Sequence, residues 1–256
     1  MPPSQITPLQ FSSDNFLLAA GGVLFRFAQT VEMNLITPSS STAPSSFSSS
    51  STASTSSESI ANSPITIDTA PGTSSISNVT PPTIPAEYNP SDAINRLEIC
   101  ILRNTKTNQF VLPKGRKDVG ESLEHAAVRE VFEESGFPCE LLPCPMSTRA
   151  PNPDLYIGLR PHIEAASQEP FTLTIKSQRD GSLKLIFWYL VRVLSNSAPR
   201  VERTQMPNED FDSMFVGARE GINMLTEPVY QNIARSAVEL VEKAMASTDH
   251  CPSFNP

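Results

Sequence analysis

LPKGRKDVGESLEHAAVREVFEESGF, residues 112–137, is the stretch from which the rest of the chain is read. In its second half Leu123, Ala127, Val128, Val131 and Phe132 recur at helical spacing. Gly136 closes that pattern where a left-handed cap is favoured. At roughly 100° per residue, Leu123, Ala127 and Val131 form one stripe, widened by Val128 and Phe132. Glu130, Glu133 and Glu134 share the flank beside it, within an arc of about 100°. Three carboxylates are thus crowded at the edge of a surface that must be buried.

That crowding is unfavourable for an ordinary surface helix. Glu130 and Glu134 are like charges at i,i+4, which costs on the order of 0.2–0.5 kcal/mol. Glu133 and Glu134 also fall in the last turn, where the helix dipole disfavours negative charge. Arg129 can offset Glu133 by an i,i+4 pairing, but not all three. A divalent cation would remove the conflict, and hard oxygen donors suit Mg²⁺ or Mn²⁺, which also bridge to phosphate oxygens.

Written as a pattern, the stretch is Gly115-x5-Glu121-x7-Arg129-Glu130-Val131-x-Glu133-Glu134-x-Gly136-Phe137. This resembles the signature of the Nudix hydrolases, which cleave a nucleoside diphosphate linked to another group. The resemblance implies an α/β fold, an α/β/α sandwich with a mixed β-sheet between helices. It also implies a role for each signature residue. Glu130, Glu133 and Glu134 would supply metal-binding carboxylates, with the Gly115 carbonyl as a further ligand. Glu121 would bind metal through water or steady the loop, and Arg129 would orient the carboxylates by charge-assisted hydrogen bonds. Family members differ on which carboxylate activates water. Glu130 is one candidate and an acid on a later loop is another: Glu209, with Asp210, Glu202 and Glu220 competing. Similar LPKG loops occur in members acting on diadenosine polyphosphates and diphosphoinositol polyphosphates, so Lys114 and Arg116 are expected to contact phosphate.

Composition limits the alternatives. Hydrophobic residues make up 39% of the 256, and 24 prolines point to long irregular stretches. A formal net charge of −8 excludes a basic surface for long nucleic acid. The expected partner is therefore a small phosphorylated molecule. The cysteines Cys100, Cys139, Cys144 and Cys251 lack zinc-type pairing and read as intracellular thiols. The apolar run Phe16–Phe27 is too short to span a bilayer. It follows Asp14 rather than a basic segment, so neither a membrane anchor nor a secretory signal is expected, and the location is cytoplasmic or nuclear.

In order, the chain reads as a strand over 16–27, a strand over 97–103, an extended segment at 109–112 and the signature loop and helix. An irregular proline-rich region follows Phe137. Then come a hairpin of 171–176 and 183–194 turning at Arg179-Asp180-Gly181, a polar stretch over 195–210, a short strand at 213–216 and a helix over 227–246. Pro228 suits the first turn of that helix. Residues 37–86 are dominated by Ser, Thr and Pro and cannot bury enough apolar surface to offset their ordering entropy. They read as a disordered insertion within one domain ordered over about 16–36 and 94–246, followed by a flexible tail at 247–256. A linker between two domains would leave too few residues on its N-terminal side for an independent core. Trp188 and Tyr189 are adjacent on a strand and point to opposite faces, as core residues rather than base-stacking ones. His125 is expected on an exposed face, His162 and His250 have no visible partners, and Lys184 and Arg160 are candidates to extend the basic lining of Lys114 and Arg116, without an assigned place. The rival to an enzyme is a Nudix-fold sensor that binds nucleotide or polyphosphate without turnover, for which loss of signature glutamates would be the mark. None is lost.

Overall fold

The structure is a computed structural model in which residues 8–28, 94–151 and 160–247 are described. Its organising strand is β1 (Phe16–Phe27), where Val, Leu and Phe follow one another as they do in strands buried on both faces. One edge of β1 runs parallel to β9 (Leu183–Val193). Its other edge is shared by two antiparallel neighbours: β2 (Leu97–Asn104) beside Phe25–Phe27, and the three-residue β4 (Lys114–Arg116) beside Ala19–Gly21. The sheet is completed by β3 (Phe110–Val111) on β2, β5 (Cys139–Leu141) and β8 (Thr172–Ser177) on β9, and β10 (Phe211–Gly217) on the far side of β2. One parallel pair among antiparallel ones makes it a mixed sheet. β6 (Cys144–Thr148) and β7 (His162–Ser167) pair with each other as a separate ribbon.

Side chains alternate across β1, and each face carries its own core. Ala19, Val23 and Phe25 pack with Ile186, Trp188 and Leu190 of β9, beneath helices α2 (Ala218–Met224) and α3 (Pro228–Ala246). Ala20 and Leu24 face the other way, with Tyr189 and Val191, beneath helix α1 (Leu123–Ser135). The expected α/β/α sandwich is the observed architecture. Trp188 and Tyr189 are both fully buried, on opposite faces. Trp188 donates to Thr174 Oγ1 at 3.1 Å and meets Tyr230 edge-to-face at 6.0 Å, so core packing accounts for it.

Helix α1 starts and stops for local reasons. Ser122 caps it by accepting from the His125 N–H, and Gly136, at φ 80°, turns the chain left-handed and donates back to the Phe132 carbonyl at 2.7 Å. Its stripe of Ala126, Ala127 and Val131 is fully buried, and a buried valine stabilises the fold by roughly 1.5–3 kcal/mol.

Some segments differ from the sequence expectation. The proline-rich region after Phe137 holds strands β5 and β6. Pro143 lies in the connection between them, and Pro145 sits where the β6–β7 register shifts between Cys144 and Met146, a place that spares the missing N–H. Residues 114–116, expected as loop, form β4 because the N-terminal half of β1 leaves that edge free. Helix α2 is too short to give a periodic signal. The insertion at 37–86, the stretch 29–36 and the tail beyond Ser247 lie outside the described residues. On either side of the first gap, Phe27 faces Leu97 and the Ala28 N–H donates to the Arg96 carbonyl at 2.8 Å. Residues 29–93 therefore connect neighbouring strands of one sheet. Among the described residues no helix is long and apolar enough to cross a membrane.

Candidate active site

The site forms where β4 passes under the C-terminal half of α1. Gly115 faces the helix side, and a Cβ built there would lie 1.9 Å from a carboxylate oxygen of Glu130. Only glycine lets that carboxylate lie against the strand. One turn on, Glu134 accepts the Lys114 backbone N–H at 2.7 Å. Both glutamates are buried, at 6% and 3% exposure, which is unusual for charged groups. Glu209, from the segment before β10, completes a group whose carboxylate oxygens lie within 4.8 Å of one another.

Burial sets the charge state of the two glutamates on α1. Glu134 is pushed up to about 8 by desolvation, opposed by Lys114 and reinforced by Glu209 and Glu130. Glu130 is likewise raised by burial, with Arg129 pulling the other way. Buried carboxylates this close cannot all ionise without a compensating charge. Acid oxygens converging at this spacing fit a hard divalent cation, Mg²⁺ or Mn²⁺, and nothing in the group is suited to a soft metal.

The other signature carboxylates are engaged elsewhere. Arg129 donates to Glu121 through Nε at 2.8 Å and Nη2 at 2.9 Å, to Glu130 through Nη1 at 2.9 Å and to Glu133 through Nη1 at 3.0 Å. It also donates to the Arg116 carbonyl at 2.9 Å, tying the helix to β4. The Asp118 N–H adds a further bond to Glu121. Glu121 is held down to about 2 by Arg129, and Arg129 is raised in turn. Glu121 and Glu133 are therefore satisfied by one guanidinium and stand outside the close acidic group.

Four acids competed for the later position, and only Glu209 reaches the site. Glu202 is paired with Arg200, and Asp210 and Glu220 are exposed. What brings Glu209 in is a set of polar residues that the sequence reading passed over. The last carbonyls of a helix have no partner within it. Here Thr204 Oγ1 donates to the Glu133 carbonyl at 2.7 Å and Gln205 Nε2 to the Glu134 carbonyl at 3.1 Å. Ser213 Oγ and Arg200 Nε both donate to the Ser135 carbonyl, at 2.7 and 3.2 Å. Gln205 also exchanges both bonds with the Phe211 backbone. The segment 200–213 is thus clamped on the end of α1, and Arg200 supplies the cation that the last turn itself lacks. The signal in the sequence was a polar stretch directly before a strand, opposite a helix end without a basic residue.

Lys114 and Arg116 point to the other face of β4, away from α1, since Gly115 between them faces the helix. Lys114 is half-buried and Arg116 exposed, and neither forms an ion pair among the described residues. His125 is exposed, with Nδ1 3.3 Å from Glu121. Arg160 is exposed before β7. His162 lies in β7 with its Nδ1 buried and without a hydrogen-bond partner among the described residues, and His250 and Cys251 fall outside them. Cys100, Cys139 and Cys144 are buried free thiols, pushed up to about 12, 12 and 11 by burial, as inert core groups.

Residues 94–211 match the model of the NUDIX domain, a span that contains α1, β4 and Glu209. The mixed sheet between helices is an architecture of the Nudix type. Among solved structures it is similar to a C. elegans Ap4A hydrolase, at 11% identity over 86% of this chain and 94% of that one, with a TM-score of 0.38. A binary complex of a C. elegans Ap4A hydrolase matches at 13% identity over 86% and 93%, with a TM-score of 0.41. A NUDIX hydrolase from Nitrosomonas europaea matches at 15% identity over 56% and 80%, with a TM-score of 0.36.

Proposed function

We propose that the chain is a metal-dependent Nudix pyrophosphohydrolase whose substrate is a highly charged polyphosphate, such as a dinucleoside polyphosphate or a diphosphoinositol phosphate. The observation that carries this is the group Glu130, Glu134 and Glu209, in which the two buried carboxyls, Glu130 and Glu134, are raised towards protonation unless a cation joins them. Those three acids, with the Gly115 carbonyl, would hold Mg²⁺ or Mn²⁺. The bound ion supplies charge neutralisation at the bridging phosphates and acidifies a water.

The protein's own residues do the rest. The Lys114 N–H fixes Glu134, and Arg129 fixes Glu130 and braces the loop through Glu121 and Glu133. Water attacks one phosphorus of the diphosphate, Glu130 takes its proton, and the bond to the bridging oxygen breaks. Burial raises the Glu130 carboxyl, which makes it a better proton acceptor than an ordinary carboxylate. Lys114 and Arg116 receive the phosphates from the face opposite α1.

The preference for polyphosphate rests on those two cations. A chain of net charge −8 repels polyanions at long range, so local cations must overcome that repulsion. Every added phosphate increases what they contribute, whereas ADP-ribose offers only its diphosphate. The test is product release from ADP-ribose, dinucleoside polyphosphates and inositol pyrophosphates, with and without Mg²⁺. Lys114→Ala combined with Arg116→Ala is expected to weaken polyphosphate hydrolysis much more than ADP-ribose hydrolysis, with the gap narrowing at high salt. Equal losses, or a wild-type preference for ADP-ribose in kcat/KM, would refute the substrate assignment.

A further inference from the structure

The loop that delivers Glu209 is short and is shaped by local turn chemistry. Met206-Pro207-Asn208-Glu209 is a β-turn, with proline at the second position, where its fixed φ is favoured. The Glu209 N–H closes the turn on the Met206 carbonyl at 2.9 Å, and the Met206 N–H donates back to Glu209 Oε2 at 3.1 Å. The carboxylate therefore moves with the turn as one unit. The turn by itself does not fix where that unit lies against α1.

One side chain directly before the turn supplies that link. Gln205 Oε1 accepts the Phe211 N–H at 2.9 Å, and Gln205 Nε2 donates to the Phe211 carbonyl at 2.7 Å. The amide thus stands in for a strand partner and closes residues 205–211 into a ring. The same Nε2 donates to the carbonyl of Glu134 at 3.1 Å, and Glu134 bears the carboxylate that faces Glu209. Thr204, Ser213 and Arg200 also hold the end of α1, but they bond to the carbonyls of Glu133 and Ser135 and lie outside the ring. The ring is held against an opposing force. Glu209 is a like charge beside Glu130 and Glu134 and raises both of their carboxyls, so repulsion pushes it outward. Glutamine suits the task chemically, since its amide gives two hydrogens and accepts at its oxygen, whereas a carboxylate only accepts.

We propose that Gln205 is a positioning residue of the cation site, which sets the separation of Glu209 from Glu134 and thereby the affinity for a hard divalent cation. The assignment rests on the metal reading given above and deepens it. Gln205 acts through Glu209 and touches neither the ion nor the substrate. Its two anchors, the Phe211 backbone and the Glu134 carbonyl, lie on the two elements that the site must bring together.

The experiment measures Mn²⁺ affinity by electron paramagnetic resonance in the wild type, Gln205→Met, Gln205→Glu and Thr204→Val, and in each Gln205 variant combined with Glu209→Gln. Losing a group that orients a metal ligand weakens the metal strongly, so Gln205→Met is expected to bind Mn²⁺ about tenfold more weakly. In the Glu209→Gln background the same change should cost less than about twofold, because the group it positions is already altered. Gln205→Glu should bind about fivefold more weakly, although an added anion by itself would favour a cation. Thr204→Val removes a bond outside the ring and should cost less than about threefold. Should Gln205→Met not fold, Gln205→Glu with and without Glu209→Gln carries the comparison. A loss of equal size with and without Glu209, or no loss in the Gln205 variants, overturns the assignment. Crystal structures of the wild type and Gln205→Glu in chelator test it apart from the metal. In the wild type the carboxylate oxygens of Glu130, Glu134 and Glu209 should lie within 4.8 Å of one another, and in the variant Glu209 should leave the group. If the wild type binds no Mn²⁺ but Glu209 leaves in the variant, the metal reading fails and the positioning role stands. If Glu209 keeps its place in the variant, the role is wrong.

Discussion

The carboxylates along α1 are in two opposite conditions. Glu121 and Glu133 are held by one guanidinium, and Glu121 is drawn down to about 2 by it. Glu134, buried at the other edge with only a backbone N–H to hold it, is raised to about 8. Glu130 belongs to both groups, bonded to Arg129 yet within 4.8 Å of Glu134 and Glu209. One short motif thus contains a finished brace and an unfinished site. The brace is complete within the chain, whereas on the proposed reading a cation completes the site. On that reading, the difference separates residues that shape the loop from residues that act.

The largest expected effect comes from altering the unfinished half. Glu134→Gln keeps an oxygen to accept the Lys114 N–H but removes the charge. It should reduce Mg²⁺-dependent turnover by about 100-fold or more, a loss comparable to removing one preorganised stabilising group. In chelator at pH 8 its melting temperature should equal or exceed that of the wild type. Wild-type turnover across a Mg²⁺ titration would break the comparison at its centre.

The braced half should behave in the reverse way. Arg129→Ala leaves Glu121, Glu130 and Glu133 without their shared partner. Discounted for partial exposure, the expected destabilisation is roughly 2 kcal/mol, measured by denaturant titration in chelator. A variant as stable as the wild type would mean that the network is surface decoration.

A smaller effect appears in the pH profile. Glu134 has a folded pKa above its unfolded value, so the folded state binds the extra proton. Stability from this group is present below about pH 4.5 and is lost as pH rises towards 8. In chelator, melting temperature should therefore fall over that window, with Glu130 acting in the same direction. Glu121 has the opposite sign: its contribution is present above about pH 4.5 and is lost only as pH falls towards 2, so it does not blur the window. Mg²⁺ should counter the fall, because binding selects the ionised carboxylates. Glu134→Gln should flatten the profile, and an unchanged slope would contradict the assignment.

The parts of this account legible in the sequence were those set by local periodicity. The apolar run Phe16–Phe27, the hairpin turning at Gly181, the helix α1 stopped by Gly136 and the periodic helix α3 opened by Pro228 each carry a local signal. Strands β5 and β6 were hidden by their prolines, tolerated because they fall at a connection and a register shift. The later acid could not be chosen from spacing alone. Glu209 is selected by the bonds of Thr204, Gln205 and Ser213 to the end of α1, which are contacts between distant segments. Lys184 had no place until the register of β1 with β9 put it on the same face as Lys114 and Arg116.

The most direct test of the central claim is Mn²⁺ binding followed by electron paramagnetic resonance in the wild type and in Glu134→Gln, Glu209→Gln and Glu133→Gln. If the buried group holds the ion and Arg129 holds the brace, the first two variants should weaken Mn²⁺ by about tenfold or more, while Glu133→Gln stays within about threefold of the wild type. Equal weakening by Glu133→Gln, or undiminished binding by Glu134→Gln, would contradict the division of α1 into a brace and a site.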